Sequence, residues 1–180
     1  GSRWKYDRLL ALAQRHGVNA LVNGGDMLPK EGDLFEQDRF ITGYLKNHFA
    51  GFNDSGIHYL GYLGNDDLKI FDTLFEETCQ SFPFVHCIAQ RKVEIEGYEF
   101  IGMNWVADYP FRLKDRCRMD ADDYVFQQQF GSGLLSEKGG WKEIDNWFAY
   151  AKRLPTIEEE MENLVRPKNM AKAIYVIHMP

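Results

Sequence analysis

Ala20-Leu21-Val22-Asn23-Gly24-Gly25-Asp26 is the stretch from which the fold can be read. A short apolar run ends in two glycines and delivers a carboxylate. The same grammar recurs where Tyr59-Leu60-Gly61-Tyr62-Leu63 runs into Gly64-Asn65-Asp66-Asp67, and where Ala173-Ile174-Tyr175-Val176-Ile177 runs into His178-Met179-Pro180. Each apolar run reads as a buried strand, which puts Asp26, Asn65 and His178 at the C-terminal ends of strands. In open α/β sheets that edge is where ligands bind. A carboxylate, a carboxamide and an imidazole together suit a borderline cation such as Mn, Fe or Zn.

Helical spacing fills the gaps between these strands. Leu9, Leu10 and Leu12 recur at helical intervals with Trp4 and Tyr6, which predicts a helix from Trp4 to His16 ending at Gly17. Leu34, Ile41, Leu45 and Phe49 share one face of a second helix, and a third runs from Leu68 to Cys79. Strand, helix, strand, helix predicts a parallel sheet with covered faces.

After Pro83 the pattern changes. Phe84 to Ile88 reads as a short strand. Lys92-Val93-Glu94-Ile95-Glu96 alternates, turns at Gly97 and resumes as Tyr98-Glu99-Phe100-Ile101, a hairpin belonging to a second, more antiparallel sheet. Residues 105–141 have little periodicity and many charges and glycines, as expected of a loop or cap insertion. The capping-box spacing of Thr156-Ile157-Glu158-Glu159 opens a helix to about Val165, and Pro167 closes it.

Composition narrows the function classes. The chain has 180 residues, 44% of them hydrophobic, enough for one well-cored domain. A net charge of −6 argues against a general nucleic-acid-binding surface, which needs clustered Lys and Arg. No apolar run approaches the roughly 20 residues that cross a bilayer, so no membrane partner is expected. Cys79, Cys87 and Cys117 are odd in number and lack CxxC spacing, which suits reduced thiols and a cytoplasmic location.

Gly25-Asp26, Gly64-Asn65-Asp66-Asp67 and Ile177-His178 resemble, in order and rough spacing, the second to fourth signature blocks of the calcineurin-like metallophosphoesterases. That family's pattern runs D-x-H, G-D, G-N-H-[DE], H, then G-H-x-H. The resemblance implies an α/β fold, a two-sheet α/β/β/α sandwich. It also implies two divalent metal ions (Mn, Fe or Zn), roughly 3.5–4 Å apart. Asp26 would bridge them, and Asn65 and His178 would hold the second. The implied reaction is hydrolysis of a phosphoester by in-line attack of hydroxide on phosphorus, with a phosphorylated small molecule or nucleotide as substrate. The D-x-H and G-H-x-H blocks are absent from this chain. Residues 1–180 therefore read as a single catalytic domain cut at both ends, with Gly1 either a glycine trailing D-x-H or a cloning remnant.

Asp66 stands where the family usually places a histidine that assists catalysis. An ionised Asp neither donates a proton nor attracts phosphate, and it could serve as the acid only if burial or Asp67 raised its pKa. The competing reading makes Asp66 a cap for the helix beginning at Leu68, with Asp67 favouring its dipole. An anion at this place would disfavour dianionic monoesters, which leans the reading towards phosphodiesters.

Other plain readings stand beside these. Asp26 after two glycines also suits a turn cap, Asn65 a left-handed turn residue, and His178 a core histidine. Asn104, Trp105 and Asp108 fall where the family places substrate-contacting loops. Arg112, Lys114, Arg116 and Arg118 either grip phosphate or form a solvated face paired with Asp115, Asp120, Asp122 and Asp123. His58 and His86, inside strands, are expected to be packed or solvent-facing. The alternatives to an enzyme are a catalytically inactive interaction scaffold on the same fold and an unrelated parallel α/β protein.

Overall fold

The computed structural model describes residues 2–179; Gly1 and Pro180, at the ends of the first and last segments discussed above, lie outside the described residues. The architecture is mixed α/β. Helix α1 (Arg3–His16) leads into strand β1 (Ala20–Asn23). A continuous helical segment follows, with a 3₁₀ turn at Leu34–Glu36, α2 (Gln37–Arg39), a π-helical stretch at Phe40–Leu45 and α3 (Lys46–Asp54). It runs five residues past the expected end at Phe49. The wide turn carries Leu34 off the core face, and Phe40, Ile41, Leu45, Phe49 and Phe52 take it instead.

Strand β2 (His58–Gly61), a 3₁₀ turn at Lys69–Phe71 with α4 (Asp72–Gln80), and β3 (Val85–Cys87) complete the first half. β1, β2 and β3 form a parallel sheet in that order, as the alternation of strand and helix dictates. Its helical face is an aromatic core of Tyr6, Phe40, Phe49, Phe52, Tyr59 and Phe75, all buried. Each such side chain contributes up to about 1.5–3 kcal/mol, an upper bound for the area removed from water.

The second sheet orders β10 (Ala173–Ile177), β5 (Tyr98–Met103) and β4 (Lys92–Ile95). β4 and β5 are the expected hairpin, antiparallel with Ile95 opposite Tyr98, and β10 joins β5 in parallel. Leu60 and Tyr62 from the first half pack with Ile88, Ile95 and Phe100, and Ala20 and Val176 join them, so apolar side chains fill the space between the two sheets.

β1 and β10 lie at sheet edges among the described residues; their apolar runs read as buried strands, β10 as a central one left without its neighbours. Val22, Ile174, Tyr175 and Ile177 are each about 40% exposed, because each strand has a neighbour on one side alone.

The excursion after β5 is more ordered than its sequence suggests. Short strands β6 (Val106–Ala107) and β7 (Cys117–Arg118) pair, and β8 (Gly133–Glu137) and β9 (Gly140–Ile144) form a hairpin. Val106, Cys117, Met119, Trp147 and Ala151 give this part its own apolar cluster, and it runs on through α5 (Trp147–Ala151). Asp108 anchors it, accepting from Lys114 Nζ at 2.7 Å and from Trp147 Nε1 at 2.9 Å in a fully buried ion pair. α6 (Ile157–Asn163) opens on the expected capping box between Thr156 and Glu159.

Candidate metal centre

Asp26, Asn65 and His178 meet beyond the C-terminal ends of β1, β2 and β10. His178 Nε2 lies 2.7 Å from Asn65 Oδ1 and 3.4 Å from Asp26 Oδ1. Its other nitrogen, Nδ1, lies 2.6 Å from the Gly24 carbonyl and donates its proton there. That bond leaves the lone pair on Nε2, where the Asn65 N–H also points, at 3.2 Å. Asn65 turns its amide NH₂ to Asp66 Oδ1 at 3.1 Å, which aims its own oxygen at the imidazole.

Three electron pairs, from Nε2, Asn65 Oδ1 and Asp26 Oδ1, therefore converge on one small region. Such a set suits positive charge between its members, although Nε2 already faces the Asn65 N–H and Asp26 Oδ1 accepts the Asp66 N–H at 3.1 Å. A proton on Nε2 satisfies it, and so does a divalent cation with nitrogen and oxygen ligands. A backbone carbonyl receiving the second ring N–H is the usual outer support of a metal-binding histidine. Burial disfavours the His178 imidazolium, but the Asp26 carboxylate and the Gly24 carbonyl more than offset this and raise its pKa. Burial likewise pushes the Asp26 carboxyl up, yet His178, the Asp66 N–H and Lys30 hold it well below the usual carboxylate range.

Glycine makes this approach possible. A Cβ on Gly64 would stand 2.4 Å from the Asp26 backbone nitrogen, and one on Gly25 would stand 2.6 Å from His178 Nδ1. Asp26 itself is left-handed, with φ 53°, a conformation Asp and Asn tolerate better than other side chains.

Two residues matter more than their sequence positions suggest. Asp67 is fully buried and does not serve a helix dipole. Its carboxylate accepts the backbone N–H groups of Gly64 (2.8 Å), Met27 (2.9 Å) and Leu28 (2.8 Å), which ties the loops of Asp26 and Asn65 together. Burial raises its carboxyl to about 6 against the pull of these three donors. Lys30 is the second. Its ammonium sits 3.1 Å from Asp26 Oδ2 and also pairs with Asp66 Oδ2.

Asp66 is not a helix cap. The residue preceding the 3₁₀ turn is Leu68, whereas Asp66 is partly exposed and lies between Lys30 and the Asn65 amide. The loop beyond β5 also departs from expectation. Asn104 is buried and donates to the Leu63 carbonyl at 2.7 Å, which is a structural bond. Lys114, Arg116 and Arg118 are buried instead of forming a solvated face, and they pair with Asp108, Asp72 and Glu160. Arg116 also donates through Nε to the Gly64 carbonyl at 2.8 Å, bracing the Asn65 loop from behind. His58 and His86 bond to each other, Nδ1 to Nε2, at 2.9 Å.

A cavity of about 660 Å³ opens beside Asp26, lined by Lys5, Tyr6, Asn23, Gly25, Pro29 and Lys30 among others. That volume is in the range of small-molecule sites. The three cysteines are free, and among the described residues no helix is long and apolar enough to cross a membrane.

No family model and no curated protein matches the chain. One solved crystal structure is similar, with a TM-score of 0.50 and 15% identity over 97% of this chain and 63% of its own. The chain thus spans about 63% of that structure's length, and at such identity the likeness concerns the fold alone.

Proposed function

We propose that this chain carries the centre of a metal-dependent phosphoester hydrolase on a two-sheet sandwich of the metallophosphoesterase type. The observation that supports the reading is the convergence of His178 Nε2, Asn65 Oδ1 and Asp26 Oδ1, with Nδ1 already committed to Gly24. Asp26, Asn65 and His178 would hold the divalent ions, beside Lys30, whose ammonium lies at Asp26 Oδ2. Divalent ions bound there would supply an activated water and neutralise charge on the phosphoryl oxygens.

The rest of the chemistry belongs to the chain. Gly24 fixes the ring of His178, and Asp67 fixes the two loops that carry Asp26 and Asn65. Lys5 and Lys30, on the adjoining cavity, offer positive charge to a phosphorylated small molecule or nucleotide. Asp66 places an anion near the reacting group and favours a monoanionic diester over a dianionic monoester.

A second reading, an inactive scaffold on the same fold, draws on Lys30. Its ammonium pairs with both Asp26 and Asp66, and with a proton on His178 the two cations balance the two carboxylates, so the cluster has a charge-neutral state of its own. The two readings separate by titrating the chain with Mn²⁺ or Zn²⁺ in a calorimeter and assaying an aryl phosphodiester. The hydrolase reading expects saturable binding and turnover, both lost in Asp26→Asn, which keeps the left-handed backbone. Turnover that survives chelation and Asp26→Asn overturns it, and absence of both binding and turnover favours the scaffold.

A further inference from the structure

His58 and His86 meet on the first sheet, away from the candidate metal centre. His58 opens β2, whose other end leads on to Asn65, and His86 sits on the neighbouring β3 opposite Leu60. Residues two apart on a strand share a face, so His58 lies on the same side of β2 as Leu60, towards the second sheet. His58 Nδ1 and His86 Nε2 stand 2.9 Å apart, with the two rings tilted by 28°. Neither of these nitrogens has another partner among the described residues. Phe84 backs the pair, its ring centroid 4.7 Å from that of His58. A cavity of about 660 Å³ reaches His58 from solvent, lined also by Gln14, Asn19, Ser55, Phe84 and Glu96 among others.

We infer that His58 Nδ1 and His86 Nε2 form a chelating pair for a single Cu²⁺ ion. Imidazole suits copper, and Cu²⁺ stands highest of the divalent first-row ions in affinity for nitrogen sites. Two nitrogens bound at about 2.0–2.1 Å stand about 2.9 Å apart at the right angle of a tetragonal ion, and about 3.3 Å apart at the tetrahedral angle of Zn²⁺. The observed separation matches the first. In the neutral pair one proton lies between the two facing nitrogens. When a cation enters, that proton moves to the far nitrogen of its own ring, and two lone pairs then face the ion. Burial and the neighbouring His58 lower the pKa of His86, which keeps its lone pair available as pH falls. No cluster of three or more His, Cys, Asp or Glu ligands forms here among the described residues, so water from the cavity takes the remaining positions. A bound ion would cross-link β2 to β3 at the end of the sheet remote from Asn65.

The test is calorimetric titration of the Asp26→Asn chain with Cu²⁺, which impairs the proposed metal centre, together with electron paramagnetic resonance of the bound ion. One equivalent is expected, with the hyperfine splitting of two nitrogens, and a Zn²⁺ affinity at least tenfold weaker. His58→Gln and His86→Gln in the same background should each weaken Cu²⁺ binding at least tenfold, while His16→Gln leaves it unchanged. His58 opens its strand at the cavity, so its variant keeps the experiment decisive if His86→Gln does not fold. Copper held at His178 instead would show a single-nitrogen spectrum, because that cluster has one imidazole. That spectrum, an affinity in His58→Gln equal to its parent's, or loss of binding in His16→Gln overturns the inference. Zn²⁺ binding as tight as Cu²⁺ overturns the assignment to copper.

Discussion

Asp67 Oδ2 accepts the Met27 backbone N–H at 2.9 Å, across forty residues of chain, and so holds the Asp26 turn against the Asn65 turn. The same oxygen takes the Gly64 N–H, and Oδ1 takes that of Leu28. Asp67→Asn should destabilise the chain by about 2–3 kcal/mol, since an amide NH₂ must then face a buried backbone donor. Urea unfolding measures this, and a midpoint equal to wild type would show that the loops hold without the carboxylate.

Gly64→Ala puts a methyl 2.4 Å from both the Asp26 nitrogen and Asp26 Oδ1. Neither can retreat cheaply, and overpacking of this kind costs about 1–3 kcal/mol. The expected result is a folded chain, by far-ultraviolet circular dichroism, whose affinity for Mn²⁺ has dropped at least tenfold. Wild-type affinity would mean that the two turns need not touch.

Lys30 competes with any cation that approaches Asp26 Oδ2. Replacing it by Met should tighten Mn²⁺ binding about fivefold, the equivalent of about 1 kcal/mol for a partly exposed charge. Calorimetry reads affinity and stoichiometry together. No change in either would remove Lys30 from the metal chemistry.

Asp66→His restores an imidazole beside the proposed metals and removes an anion. The ratio of monoesterase to diesterase kcat/KM on matched aryl esters should rise, with metal occupancy checked in both proteins. An unchanged ratio would leave the lean to diesters without support.

His48 predicts a pH dependence remote from the proposed metal ligands. It is buried among Tyr6, Tyr44, Phe52 and Tyr59, and burial lowers its pKa to about 4, slightly countered by Asp7. The unfolded chain therefore binds a proton that the folded chain refuses between about pH 6.5 and 4. This contribution to stability is complete above that range and is lost as pH falls through it. His48→Phe should flatten this part of a stability-versus-pH curve, and an unchanged slope would assign the loss to other groups.

Those parts of the fold set by local pattern were legible in the sequence. Apolar runs ending in Gly-Gly-Asp and Gly-Asn mark the ends of β1 and β2, Gly97 marks the β4–β5 turn, and Thr156 with Glu159 marks the start of α6. Placing Asp26, Asn65 and His178 at strand ends anticipated their meeting, but β10 belongs to the second sheet and not to the sheet edge that carries Asp26 and Asn65. What escaped depends on distant backbone or unlike partners. Asp67 binds amides, which carry no sequence signature, and Arg116 finds Asp72 forty-four residues away. A basic cluster followed by acids reads as a solvated face, yet Lys114, Arg116 and Arg118 are buried by an excursion whose short strands are too brief to show a period.

The pairing of β10 with β5 has a consequence for synthesis. His178 follows Asn65 by 113 residues, so the first parallel sheet can fold while the imidazole has yet to be made. Domains fold progressively as they emerge from the ribosome, and binding free energy is realised only when all ligands are in place. The nascent chain would thus present a carboxylate and an amide, too poor a set to capture a scarce metal, until β10 docks. On the proposed metal reading, cation capture would wait for β10 to dock on β5 and would not be timed by the first encounter with the ion.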